Sequence, residues 1–60
     1  MTHEDLKVGD KVMYQDTDEK VQATVVAIDA ENEIVRFKDW EDFEWDEMFN
    51  DIPATVIRKL

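Results

Sequence analysis

Sixty residues, no cysteine, and sixteen acids against seven bases, a formal net charge of −9, describe one small acidic domain with no disulfide to brace it. The charge disfavours direct contact with a phosphate backbone, and no apolar run nears the roughly 20 residues that cross a bilayer. The acidic opening Met1-Thr2-His3-Glu4-Asp5 is unlike the basic and then apolar start of a signal peptide, so a soluble, cytoplasmic protein is expected.

Residues 1–5 read as a polar lead-in, and residues 6–60 as a single domain with Leu6 as its first apolar anchor. Gly9, the only glycine, stands in a Gly-Asp turn that launches a strand on which Val12 and Tyr14 share a face. Asp16 to Lys20 contains no apolar residue and is a loop. Val21 to Ile28 is the longest apolar segment and is dominated by β-branched residues, which favours a strand. Its apolar character spreads to both faces at Val26 and Ile28, which predicts a bend or bulge that exchanges them. A turn follows over 29–33, with Asn32 as the residue that tolerates positive φ.

Ile34 to Lys38 predicts a third strand, with Val35 and Phe37 on one face and Arg36 and Lys38 on the other. Asp39 to Asp42 must reverse the chain into a short fourth strand, Phe43-Glu44-Trp45, with both aromatic side chains on one side. Asp46 to Ile52 reads as one helical or 3₁₀ turn with Asp46 as its cap and Met48, Phe49 and Ile52 on its inner side. Pro53 is expected to end that turn, and Ala54 to Arg58 to form the last strand. The fold class is therefore all-β: a five-stranded SH3-like bent barrel with one helical turn before the final strand.

Three stretches carry a family resemblance. Leu6-Lys7-Val8-Gly9-Asp10-Lys11-Val12 resembles the opening of a Tudor domain, and Val21 to Asp29 is similar to its second strand. Val35-Arg36-Phe37-Lys38-Asp39-Trp40-Glu41-Asp42 is similar to its third strand and turn. The match runs from about Leu6 to Ile52. It implies a five-stranded bent barrel, and many members of the family read methylated arginine or lysine in a cage of aromatic rings. The resemblance puts Phe37 and Trp40 on cage positions, Tyr14 near a further ring, and Asp42 where an asparagine bonds the ligand. Val21 stands in place of a cage tyrosine and Glu41 in place of a glycine, so the implied cage has at most three walls.

The residues themselves support two readings of this region. Four of the six aromatic residues lie between Phe37 and Trp45, interleaved with acids, as in a site that holds a cation against ring faces. Alternatively Phe37, Phe43 and Trp45 fill the core, Trp40 lies over its rim, and the acids are a solvated face. The acids Asp39, Glu41, Glu44, Asp46 and Glu47 are expected to form a docking surface for a basic protein or peptide. A further alternative is mimicry of DNA, in which such carboxylates occupy the basic site of a nucleic-acid-binding protein.

Metal and cofactor sites are not expected. Asp16-x-Asp18 lacks the rest of a calcium loop, and His3 is the only histidine. With neither cysteine nor serine, and no cleft foreseen, the chain is expected to be a non-enzymatic interaction module, monomeric or weakly dimeric, that binds a cationic segment, methylated or not.

Overall fold

The computed structural model describes all sixty residues. A 3₁₀ turn at His3–Asp5 leads to β1 (Lys11–Asp16), β2 (Glu19–Asp29), β3 (Ile34–Lys38) and β4 (Glu44–Met48). A second 3₁₀ turn, Phe49–Asp51, runs into the four-residue helix α1 (Ile52–Thr55), and β5 (Val56–Lys59) ends the sheet. The strands form one antiparallel sheet in the order β4-β3-β2-β1-β5. Hydrogen bonding stops at β4 and β5, so the expected closed barrel is corrected to a five-stranded sheet with two edges.

The anticipated bulge falls on β2. Val25 faces Phe37 across the ladder, but the next pair is Ala27 with Arg36, leaving Val26 as the additional residue. Side chains alternate along a strand, so one inserted residue reverses the parity. Val25 and Ile28 can therefore both reach the core, and Ala27, which simple alternation puts inside, turns out to solvent. On its other side β2 takes up the incoming chain: Gly9 N donates to Val25 O at 2.8 Å, and Val25 N donates to Asp10 O at 2.9 Å. Gly9 reaches this position with φ +97°, where a Cβ would be strained.

The core is Leu6, Val12, Ala23, Val25, Val35, Phe37, Ile52 and Val56, with Tyr14, Ile28, Trp45, Phe49 and Met1 packed around it. The lead-in packs against the domain. The His3 ring lies parallel to that of Phe49, centroids 3.8 Å apart, and Thr2 N donates to Asp5 Oδ2 at 3.0 Å.

Several local expectations shift. β4 continues to Met48 because Arg36 on β3 holds Asp46 across the ladder, so Asp46 is a strand residue and caps nothing. The helical turn is displaced towards the C-terminus, and Met48 is 57% exposed instead of facing inward. Pro53 opens α1 instead of ending a turn, since a first-turn residue needs no donor N–H. In the β2–β3 turn the positive φ belongs to Glu33, at 57°. Asn32 serves by donating its backbone and side-chain N–H groups to the Asp29 carboxylate.

Candidate functional site

A two-residue connection, Thr17-Asp18, joins β1 to β2 and sets Tyr14 opposite Val21. On the other side of the inner face, Phe37 pairs with Trp45 across β3 and β4. Phe43 lies two residues before Trp45, and the rings of the two are stacked, centroids 6.2 Å apart and 23° from parallel. The Tyr14 ring meets Trp45 edge-on at 5.2 Å. Between these elements lies a hollow of about 230 Å³, lined by Tyr14, Asp16, Val21, Asp39, Phe43 and Trp45.

No base lines this hollow. Its walls include three aromatic residues and two acidic ones, an arrangement that can hold a cation. Asp39 is held in place by its turn: Oδ1 accepts from Glu41 N at 2.8 Å and from Phe43 N at 3.0 Å. The Tyr14 hydroxyl donates to Glu47 Oε2. Burial, and then this bond to a carboxylate, push the Tyr14 hydroxyl pKa well above the ordinary phenol value. The Trp45 indole Nε1 is buried without a hydrogen-bond partner.

Of the residues singled out from sequence, Tyr14 forms a wall of the hollow. Phe37 is 0% exposed and cannot present a face to a ligand; it packs behind Tyr14 and Trp45 at 5.7 and 5.9 Å between centroids. Trp40 is 79% exposed and sits away from Tyr14, over a separate groove with Lys11, Gln22, Thr24 and Lys38. Asp42 takes φ 65° in the turn and pairs with Lys38 at 3.5 Å without lining the hollow. The expected grouping of Phe37, Trp40 and Asp42 with Tyr14 is therefore not assembled. The partition of the other aromatics also changes: Phe43, expected inside, is 65% exposed, and Trp45 is half-buried.

The acids do not form one open row. Arg36 makes a two-pronged contact with Asp46, at 2.8 and 3.4 Å, and lies 3.9 Å from Glu44. Glu47 accepts from Tyr14, Asp39 is bound into its turn, and Glu41 is exposed.

Asp16, Val21, Phe43 and Trp45 were not legible as one site. Two signals pointed towards them: the Phe43-x-Trp45 spacing, which aligns two rings on one strand face, and the short Thr17-Asp18 turn, which fixes the Tyr14–Val21 pair. Compared with family models, curated proteins and solved structures, the chain matches none.

Proposed function

We propose that this chain is a non-enzymatic, Tudor-like interaction module that receives a cationic side chain of a basic protein segment in the Tyr14–Phe43–Trp45 hollow. The observation that carries this reading is the lining: the aromatic residues Tyr14, Phe43 and Trp45 and the acids Asp16 and Asp39, with no competing base. A cation contributes about 0.5–2 kcal/mol against each ring face it meets, more as water leaves the site. Two or three rings with a carboxylate at about 4 kcal/mol in total correspond to a millimolar contact for one side chain, so useful affinity needs neighbouring contacts. The acidic field of the chain, net −9, would draw a basic segment in and orient it.

The strand order, the bulged second strand and the helical turn ahead of β5 support the Tudor-like, SH3-like form of the reading. The absence of serine and cysteine from the sequence supports a binding role over nucleophilic catalysis.

The test is a titration of isotopically labelled protein with a lysine-rich peptide, its methylated forms, a dimethylarginine peptide and a glutamine-substituted control. Resonances of Trp45 and Phe43 are expected to move with the cationic peptides and to stay put with the control. Identical responses to the control, or no response in either ring, would rule the hollow out.

A further inference from the structure

The strand register sorts charge by face. Lys11, Lys20, Arg36, Lys38 and Arg58 pair with the outward-facing residues of neighbouring strands, which places five of the seven bases on the outer side of the sheet. At the β3–β4 edge Arg36 is answered by Glu44 and Asp46. At the other end, Lys11, Thr24 and Lys38 form one cross-strand row. Adjacent strands are roughly 4.8 Å apart, so the two ammonium groups at the ends of that row can converge on one ligand over Thr24. Lys11 makes no ion pair, on a chain with sixteen acids.

Beside this row stands the exposed Trp40 indole, and together they bound a groove of about 350 Å³, with Gln22 and Thr24 as hydrogen-bonding groups on its floor. That volume suits a small molecule. An indole face stacks on another planar ring, and the two lysines supply charge for an anion.

We propose that the groove binds a small planar anion, an aromatic ring carrying one phosphate or carboxylate, with the ring on Trp40 and the anionic group between Lys11 and Lys38. Three carboxylates oppose it, of which Glu44 stands across the ladder from Lys38 but lies 3.9 Å from the Arg36 guanidinium. Asp42 pairs with Lys38, but this contact is exposed, Asp42 being 82% open to solvent, and an incoming anion can displace it. Asp39 also borders the groove, but its Oδ1 is occupied by two backbone N–H groups of the turn. A long polyanion is disfavoured because the rest of the surface is acidic and repels phosphates beyond the first. The inference does not rest on the cation hollow, whose aromatic walls lie on the inner face and which shares only Asp39 with this groove.

The test uses adenosine monophosphate as probe, with adenosine, inorganic phosphate and a single-stranded oligonucleotide as comparison arms, read from the Trp40 indole resonance. The monophosphate is expected to shift Trp40 and the amides of Lys11 and Lys38, leaving Phe43 and Trp45 unmoved. Adenosine and phosphate alone should each bind at least about tenfold more weakly, since each supplies only one of the two contacts. Trp40→Ala and Lys11→Gln, both at exposed positions and so expected to fold, should each weaken binding about threefold or more. No shift with about 10 mM monophosphate, equal binding by the variants, or tighter binding of the oligonucleotide per nucleotide would overturn the proposal.

Discussion

Asp39 and Phe43 close the β3–β4 turn on each other from both sides: Asp39 N donates to Phe43 O at 3.0 Å, and Phe43 N donates back to Asp39 Oδ1 at 3.0 Å. This reciprocal pair closes the turn into a divider. Phe43 is delivered to the hollow on one side and Trp40 to the basic groove on the other, while Asp39 borders both.

Asp39→Ala removes the acceptor for Glu41 N and Phe43 N and is expected to destabilise the fold by about 1–2 kcal/mol. Asp39→Asn keeps an oxygen at the same place, so it should melt close to wild type while weakening cation binding in the hollow. Thermal melts paired with peptide titration separate the two effects; equal melting points for Ala and Asn would contradict the role of the turn.

The two phenylalanines should differ sharply. Phe37→Ala empties a fully buried site and is expected to cost about 3–5 kcal/mol, enough to unfold much of a domain this small. Phe43→Ala, at an exposed ring, should cost less than about 1 kcal/mol and instead abolish the response to cationic peptides. Urea unfolding of both variants checks the order.

Tyr14 supplies an alkaline prediction. It is the only tyrosine, so ultraviolet absorbance reports its ionisation without ambiguity. Its folded pKa is raised, chiefly by burial and then by Glu47, while the unfolded chain ionises near the ordinary value of 10.0. The neutral phenol thus stabilises the fold fully below about pH 10, and this contribution is lost as pH climbs above that value. Phenolate should appear together with unfolding, and Tyr14→Phe should flatten the alkaline loss of stability.

At low pH the sign reverses. The carboxyl pKa values of Asp5, Asp10, Asp29 and Asp46 are lowered, mainly by hydrogen bonds from Thr2 N, Lys7 N, the Asn32 side chain and the Arg36 guanidinium respectively. A depressed folded pKa stabilises above the unfolded value near 3.8 and is lost as pH falls below it. Melting temperature should therefore drop below about pH 4. Asn32→Ala should reduce that drop. At pH 7, where the net charge is −9, added salt should raise the melting temperature by screening repulsion, and the gain should shrink as the carboxylates protonate.

The strands were legible where a period of two met β-branched residues: β3 stands where Ile34–Lys38 pointed, and β2 covers Val21–Ile28 but starts at Glu19, since of the expected loop 16–20 only Thr17-Asp18 is a turn. The irregularity at Val26 followed from apolar residues on both faces. The fourth strand was misplaced because its residues after Trp45 are mostly acidic and carry no apolar alternation. They remain in the ladder through contacts that only tertiary structure supplies, Asp46 with Arg36 and Glu47 with Tyr14. The candidate site was legible in composition and not in membership. Rings and acids bunched between Phe37 and Trp45 marked the region, but which ring faces water depends on the turn geometry set by Asp39 and Asp42.

By itself, then, the sequence determined an acidic all-β domain with its strand-forming segments, its bulge and a cation-suited stock of rings and carboxylates, because alternation and charge are local properties of the chain. Only the tertiary structure decided that the sheet ends at two edges, and that Phe37 is core while Phe43 and Trp45 join Tyr14 around a hollow. It alone turned Trp40 to the opposite face beside Lys11 and Lys38. The reason is physical: alternation fixes a side chain's face only within a paired strand, and across Asp39–Phe43 the outcome follows the turn backbone, where Asp42 takes φ 65° and Asp39 Oδ1 accepts two N–H groups.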